Sequence, residues 1–181
     1  MRRIAVFGGS FDPPHMGHVL CATWAWKVAG VDAVWVFPVY QHPYGKVLAA
    51  WDHRWAMCQR AFGGLGFVEV RDDERRNLEG RTFDLLQLLI ADHRDVRFSL
   101  IGGTDTRDDL ANWYRGEELM DMVDVIAVPR RGFDDDHQAA LPAISSTMIR
   151  ERLSVGTDVT ELLPADVATY IQHHSIYNSG A

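Results

Sequence analysis

The chain has few of the features that mark secreted or membrane proteins. It contains only two cysteines in 181 residues, too few for a fold stapled by disulfides, and we expect Cys21 and Cys58 to be buried, reduced thiols. No apolar run approaches the ~20 residues that a membrane span needs. No apolar segment of signal-peptide length follows the first residues. These absences predict a cytoplasmic protein without a membrane partner.

The chain also has fewer basic than acidic residues. Lysine and arginine together number 18 against 25 aspartates and glutamates, which gives a net charge of −7. A surface with this balance does not attract nucleic acid by bulk electrostatics. We therefore expect no nucleic-acid partner, and any positive charge that binds phosphate must be local.

Two common nucleotide-binding fingerprints are missing. The chain has no Gly-x-x-x-x-Gly-Lys-Ser/Thr, so it has no P-loop, and residues 8–18 do not match Gly-x-Gly-x-x-Gly. They read GGSFDPPHMGH, after the apolar run Ile4–Phe7 and before a helical pattern. A parallel sheet opens its ligand crevice at such a junction, where the helix start offers free N–H groups to an anion. This predicts a bound nucleoside triphosphate near His15 and His18, although the residues alone also allow a metal site or two surface histidines.

Short apolar runs alternate with helical patterns along the whole chain. This alternation predicts right-handed βαβ crossovers and a mostly parallel sheet, hence an α/β, Rossmann-like fold in a single domain over residues 1–181. Residues 130–137, by contrast, are typical of an exposed loop. The predicted strands are Ile4–Phe7, Ala33–Phe37, Phe67–Val70, Arg97–Ile101 and Val123–Val128, and the predicted helices cover residues 16–29, 51–62, 82–92, 105–121, 146–154 and 164–173.

The segment 8–18 resembles the His-x-Gly-His signature of the nucleotidyltransferase superfamily, and most of all that of bacterial nicotinate-nucleotide adenylyltransferases. Residues 144–150, ISSTMIR, are similar to a second motif of that family, Ile-Ser-Ser-Thr-x-Ile-Arg. The stretch Ile101–Asp105 and the later Trp113 resemble two further family segments. The resemblance implies transfer of AMP from ATP to nicotinate mononucleotide with release of pyrophosphate. It also implies Mg²⁺ bound with the ATP, and we expect no metal held by the protein itself.

The resemblance also implies roles for individual residues. It makes His15 and His18 catalytic. The residues expected to bind ATP are Gly8, Gly9, Ser10, Phe11, Gly17, Ser145, Ser146, Thr147 and Arg150. The residues expected to bind the acceptor are Lys46, Arg81, Thr82, Gly103, Asp105 and Trp113.

Several of these residues also have a plainer interpretation. Ser145 is typical of a helix N-cap, Asp105 of a turn or cap, and Trp113 of a core residue. Arg54 and Met57 resemble the family's Arg-x-x-Met, but they equally fit a salt-bridged arginine and a core methionine.

The sequence departs from the family pattern at two places. Residues 42–46 lack the usual Pro-His-Lys, so either His42 or Lys46 could meet a phosphate. Arg81 stands where the family has tyrosine; it could bind a carboxylate or lie in solvent beside the acidic run Asp72–Glu74. The preference for nicotinate over nicotinamide mononucleotide is therefore open.

Other functions remain compatible with the motifs. They are a related transferase that uses nicotinamide mononucleotide, phosphopantetheine or another phosphorylated acceptor, and a catalytically silent nucleotide sensor. The oligomeric state is open as well, a homo-oligomer included.

Overall fold

The computed structural model describes residues 1–132 and 138–177, except for the side chains of residues 105, 107 and 108. Its centre is a five-stranded parallel sheet with the strand order β3-β2-β1-β4-β5. Each strand begins and ends within two residues of its predicted bounds, so the predicted α/β, Rossmann-like fold is confirmed. The strands are β1 (Arg2–Gly9), β2 (Ala33–Pro38), β3 (Val68–Val70), β4 (Val96–Gly103) and β5 (Asp124–Val128).

Helices cover both faces of this sheet. Alternate residues of β1 therefore enter different cores: Ala5 and Phe7 belong to one, Ile4 and Val6 to the other. A strand buried on both faces must be apolar throughout, which explains the continuous apolar runs in the sequence. The helices are α1 (Met16–Ala29), α2 (Trp51–Phe62), α3 (Thr82–Asp92), α4 (Thr104–Asp109), α5 (Gly116–Met122), α6 (Ser146–Ser154) and α7 (Ala165–His173), with 3-10 turns at Asp73–Arg76, Leu110–Asn112 and Thr160–Leu162.

The prediction of one helix over residues 105–121 is wrong. The chain leaves α4 through a 3-10 turn, Trp113 is extended, and Arg115 lies in the left-handed region with φ +54°. Gly116 then packs so tightly against the turn that a Cβ atom would overlap the carbonyl oxygen of Leu110. The break matters because it carries Trp113 out of the helix and towards the carboxyl ends of the strands.

The chain reverses its direction across the sheet between β1 and β4, which lie side by side. In a parallel sheet such a switch point opens a crevice beyond the carboxyl ends of the two strands. Residues 10–18, which follow β1 and carry both histidines, are called the histidine loop. This loop and the start of α4 after β4 border the crevice. No helix in the described part of the chain is long and apolar enough to cross a membrane.

Candidate active site

Two adjoining cavities occupy the crevice. The larger one has a volume of about 390 Å³ and lies over the start of α1 and the start of α6. The smaller one, about 210 Å³, lies on the other side of β1, next to the start of α3. They meet at four residues that line both: Gly8, Ser10, Ile101 and Trp113.

Two stacked imidazoles form the wall of the larger cavity at the start of α1. The ring centroids of His15 and His18 are 3.7 Å apart with 26° between the planes. The backbone N–H of His15 donates to Nδ1 of His18 at 3.1 Å. Since Nδ1 accepts, the proton of a neutral His18 ring is on Nε2. Gly17 makes the stack possible, because a Cβ atom there would lie 3.0 Å from the His15 ring.

Both rings are neutral at pH 7. Burial lowers the pKa of His15 to about 4, and the positive charge of Arg130 acts in the same direction. Burial also lowers the pKa of His18 well below its usual value, with smaller contributions from His15 and Arg130. In addition, Nδ1 of His15 is buried without a hydrogen-bond partner among the described residues. The site therefore presents neutral hydrogen-bonding rings beside a fixed cation, an arrangement suited to an anionic ligand.

The start of α6 is tied to the histidine loop. Ser145 caps the helix by accepting a hydrogen bond from the N–H of Met148 at 3.2 Å. The hydroxyl of Ser146 donates to the carbonyl of Pro13 at 2.9 Å. Nη1 of Arg150 donates to the carbonyl of Asp12 at 2.7 Å. A helix start with hydroxyls and a guanidinium thus faces the same cavity as the histidines, which is an anion-binding arrangement.

Asp12 is the buried junction of this loop, with 2% of its surface exposed. Its Oδ1 accepts from the hydroxyl of Tyr177 at 2.5 Å and from the N–H of Ala49 at 3.3 Å. Its Oδ2 lies 3.8 Å from Nη1 of Arg150. Segments far apart in the chain therefore fix the loop that carries the histidines.

Arg54 supports the same loop from α2. It is 2% exposed and donates to the carbonyls of Ala49, Ser10 and Val39 at 2.8–3.0 Å. Its guanidinium joins the ends of β1 and β2 through backbone oxygens rather than through a salt bridge. Met57 is fully buried in the core.

The smaller cavity is lined by one tryptophan, Trp113, and by Thr82, the first residue of α3. His42 and Glu74 also line it. Arg81 does not; it lines a third, outer cavity of about 530 Å³ that Trp113 and Thr82 also border. Its guanidinium lies 4.1 Å from the ring centre of Tyr114.

Comparison with known proteins identifies the family. Residues 6–152 match the family model described as cytidylyltransferase-like. The chain is 42% identical to a probable nicotinate-nucleotide adenylyltransferase of Anaeromyxobacter sp. (strain K), over 97% of each chain. The chain belongs to the nicotinate-nucleotide adenylyltransferases. A second adenylyltransferase relative, from Halalkalibacterium halodurans, is 37% identical and covers 99% of this chain and 93% of its own length.

Solved structures share the adenylyltransferase fold. The Plasmodium falciparum nicotinic acid mononucleotide adenylyltransferase complexed with NaAD superposes with a TM-score of 0.84 over 98% of each chain, at 21% identity. The same enzyme complexed with APC gives a TM-score of 0.81 at 20% identity. At this level of identity the likeness shows the fold alone.

The structure distributes the predicted site residues of this adenylyltransferase between the cavities. Gly9 and Thr82 line the smaller one, Arg81 lines the outer one, and the side chain of Asp105 lies outside the described part of the structure. Three residues assigned to the acceptor, Lys46, Gly103 and Trp113, border the larger cavity. The larger cavity also brings together His15, His18, Gly8, Ser10, Phe11, Gly17, Ser145, Ser146, Thr147 and Arg150.

Sequence reasoning missed two charged residues of the crevice. The interpretation of residues 130–137 as an exposed loop is wrong for Arg130, which lines the larger cavity; residues 133–137 lie outside the described part. An arginine just after the end of β5 was the available signal, since ligands bind beyond the carboxyl ends of strands. Glu74, named in the sequence analysis only as part of the acidic run Asp72–Glu74, is 4% exposed and lines the smaller cavity.

Proposed function

We propose that this chain transfers AMP from ATP to nicotinate mononucleotide, producing nicotinate adenine dinucleotide and pyrophosphate. Family membership supports the reaction. The observation that carries the assignment of the site is the direct contact between the two motif segments, through Ser146 on Pro13 and Arg150 on Asp12. That contact brings residues far apart in the sequence to one surface, which supports their joint role in binding an anion.

ATP binds in the larger cavity in this proposal, with its triphosphate facing the histidines and the start of α6. The acceptor binds in the smaller cavity, and its 5′-phosphate meets the α-phosphorus of ATP where the cavities join, near Gly8 and Ser10. The pyridine ring stacks on Trp113, a contact that provides ~1–3 kcal/mol to a planar ring. The N–H groups at the start of α3 are available to an anionic group on the acceptor.

The chemical step needs positioning more than proton transfer. An oxygen of the acceptor phosphate attacks the α-phosphorus in line, the bond from that phosphorus to the bridging oxygen breaks, and pyrophosphate leaves with the electron pair. Because the attacking phosphate is already an anion, no side chain has to act as a base. His18 donates through Nε2–H to the charge that develops on the phosphoryl oxygens, while Arg150, Arg130 and Lys46 supply positive charge.

The lining of the larger cavity fits a divalent cation that enters with ATP. Among its described residues there is no aspartate or glutamate, the ligands that proteins use for Mg²⁺. Within residues 1–132 and 138–177, no three His, Cys, Asp or Glu side chains are grouped to hold a metal ion. We therefore propose that phosphate oxygens bind Mg²⁺, which neutralises part of the triphosphate charge.

A pyrophosphate-release assay tests the function directly. The purified protein is incubated with ATP and Mg²⁺ and with nicotinate mononucleotide, nicotinamide mononucleotide or phosphopantetheine, and products are identified by mass. We expect pyrophosphate and dinucleotide with nicotinate mononucleotide. Turnover with phosphopantetheine alone would assign the chain to a related transferase, and ATP binding without any turnover would make it a nucleotide sensor.

A further inference from the structure

Glu74 occupies an unusual place for an acidic side chain. It lies in the 3-10 turn Asp73–Arg76 after β3, is 4% exposed, and lines the smaller cavity together with Trp113 and Thr82. It is the only acid among the described residues around that cavity. A carboxyl group buried beside a ligand cavity needs hydrogen-bond partners, because an unpaired polar group is costly to bury.

Among the described residues, only one of its two oxygens has such a partner. Nδ2 of Asn77 donates to Oε2 of Glu74 at 2.9 Å and also to the carbonyl of Arg81 at 3.1 Å, just before α3. None of the described residues donates a hydrogen bond to Oε1. Since Oε2 accepts from Asn77, the proton of the neutral acid belongs on Oε1, the oxygen that is left for a ligand.

The ionisation of the Glu74 carboxyl is governed first by its burial and then by its neighbours. Burial raises its pKa to about 8; the hydrogen bond from Asn77 lowers the pKa, the charge of Asp73 raises it, and Arg54 lowers it. Asp73 is itself paired with Arg71 at 2.9 Å, and the guanidinium of Arg54 is engaged by backbone carbonyls. His42, which also lines the cavity, has a pKa below its usual value because of burial and the charges of Lys46 and Arg54.

We propose that Glu74 is a specificity-determining residue that distinguishes an acidic from an amide group on the pyridine ring of the acceptor. As the carboxylic acid it donates from Oε1 to the carboxylate of nicotinate. As the carboxylate it repels that group and accepts from the amide N–H of nicotinamide. The inference rests on the proposed function, which places the pyridine ring against Trp113 in the same cavity.

One consequence is a preference that changes with pH. The ratio of kcat/KM for nicotinate mononucleotide to that for nicotinamide mononucleotide should fall as pH rises through about 8. Both acceptors carry the same ribose phosphate and react with the same ATP. The ionisation of their phosphates, and of His15 and His18, therefore cancels in the ratio.

The test measures this ratio between pH 6.5 and 9.5 in the wild type, in Glu74→Gln and in Asp72→Asn. Asp72 is an exposed carboxyl of the same segment, so its substitution removes a charge without touching the cavity. We expect the wild-type ratio to fall about tenfold, the size of effect that one charge-assisted hydrogen bond provides. Glu74→Gln should show a nearly constant ratio, because its amide donates at every pH, and Asp72→Asn should follow the wild type.

The outcomes separate this inference from the proposed function. If nicotinate mononucleotide is turned over but the wild-type ratio is flat, or if Glu74→Gln parallels a falling wild-type curve, Glu74 does not select the acceptor. If neither pyridine mononucleotide is turned over by the wild type, the proposed function fails and the selection by Glu74 fails with it. Should Glu74→Gln not fold, Glu74→Asp takes its place: its shorter carboxyl should reduce the fall of the ratio, and a fall equal to that of the wild type would overturn the inference.

Discussion

The hydroxyl of Tyr177 donates to the carboxylate of Asp12 at 2.5 Å and so joins the segment after α7 to the loop that carries the histidines. Burial raises the pKa of Tyr177 above its usual range, and the hydrogen bond to Asp12 adds to this effect. The phenol therefore remains a donor at every working pH. Because the backbone carbonyl of Asp12 also accepts from Nη1 of Arg150, the C-terminal segment supports the loop beside the proposed triphosphate site.

Replacing Tyr177 by phenylalanine should weaken both the fold and ATP binding. The buried carboxylate of Asp12 loses a donor, which costs about 1.5–3 kcal/mol for a hydrogen bond to a charged group. We expect a lower melting temperature and a higher KM for ATP. Tyr170→Phe is the matched control, since that hydroxyl contacts His53 at 3.0 Å, outside the loop. An ATP KM that is equal in the two variants would contradict the role given to Tyr177.

The two stacked histidines should each be needed for the chemical step. Loss of a preorganised donor at a developing charge typically lowers kcat by ~10²–10³, and we expect this for His15→Ala and His18→Ala at saturating substrates. His173→Ala, an exposed histidine of α7, serves as the control. Near-normal kcat in a well-folded His18→Ala protein would remove that ring from the mechanism.

Arg130 should affect both ATP binding and the titration of the neighbouring rings. Its charge lowers the pKa of His15, so Arg130→Ala should raise that pKa above about 4, as NMR titration of the imidazole signals would show. The loss of one charge-assisted phosphate contact should also raise the KM for ATP about tenfold. Arg131→Ala, at an exposed neighbouring position, should change neither quantity. A His15 pKa that does not respond to Arg130→Ala would refute the electrostatic coupling.

The ionisation of Glu74 should also appear in stability without any substrate. Its pKa is about 8 in the folded protein and 4.5 as its ordinary value, so between these pH values the folded state holds the extra proton. The stability of the wild type relative to Glu74→Gln therefore falls as pH rises from about 4.5 to 8 and levels off above that range. Melting temperatures of the two proteins measure this difference, in which the shared histidines cancel. A difference that does not change with pH would place the Glu74 carboxyl in an ordinary environment.

Much of the fold could be predicted because its elements follow local rules. The run Ile4–Phe7 is apolar at every position because both faces of β1 are covered. The helical pattern predicted from residue 16 coincides with the start of α1 at Met16. The break after α4 could not be seen in the same way. The helical pattern continues through Trp113, whereas the turn there depends on the close packing of Gly116 against Leu110.

The site was predictable where the motif residues follow the ends of strands, as His15 and His18 do. It was not predictable where burial depends on tertiary packing. Glu74 and Arg130 are charged residues in polar stretches, and only the folded chain shows that they line cavities. The contact between Asp12 and Tyr177 joins residues 165 positions apart, and no local pattern in either segment indicates it.

The meeting of the two cavities at Gly8, Ser10, Ile101 and Trp113 has a consequence for inhibition. A single molecule that links an adenosine phosphate to a pyridine group can occupy both cavities, and once one half is bound the other binds at a high effective concentration. Such linkage raises affinity by about 10²–10⁴-fold over either half alone. The dinucleotide product is itself a molecule of this kind. Because both cavities would hold it, we expect its release to require both halves to detach, and weaker binding in either cavity to speed that release.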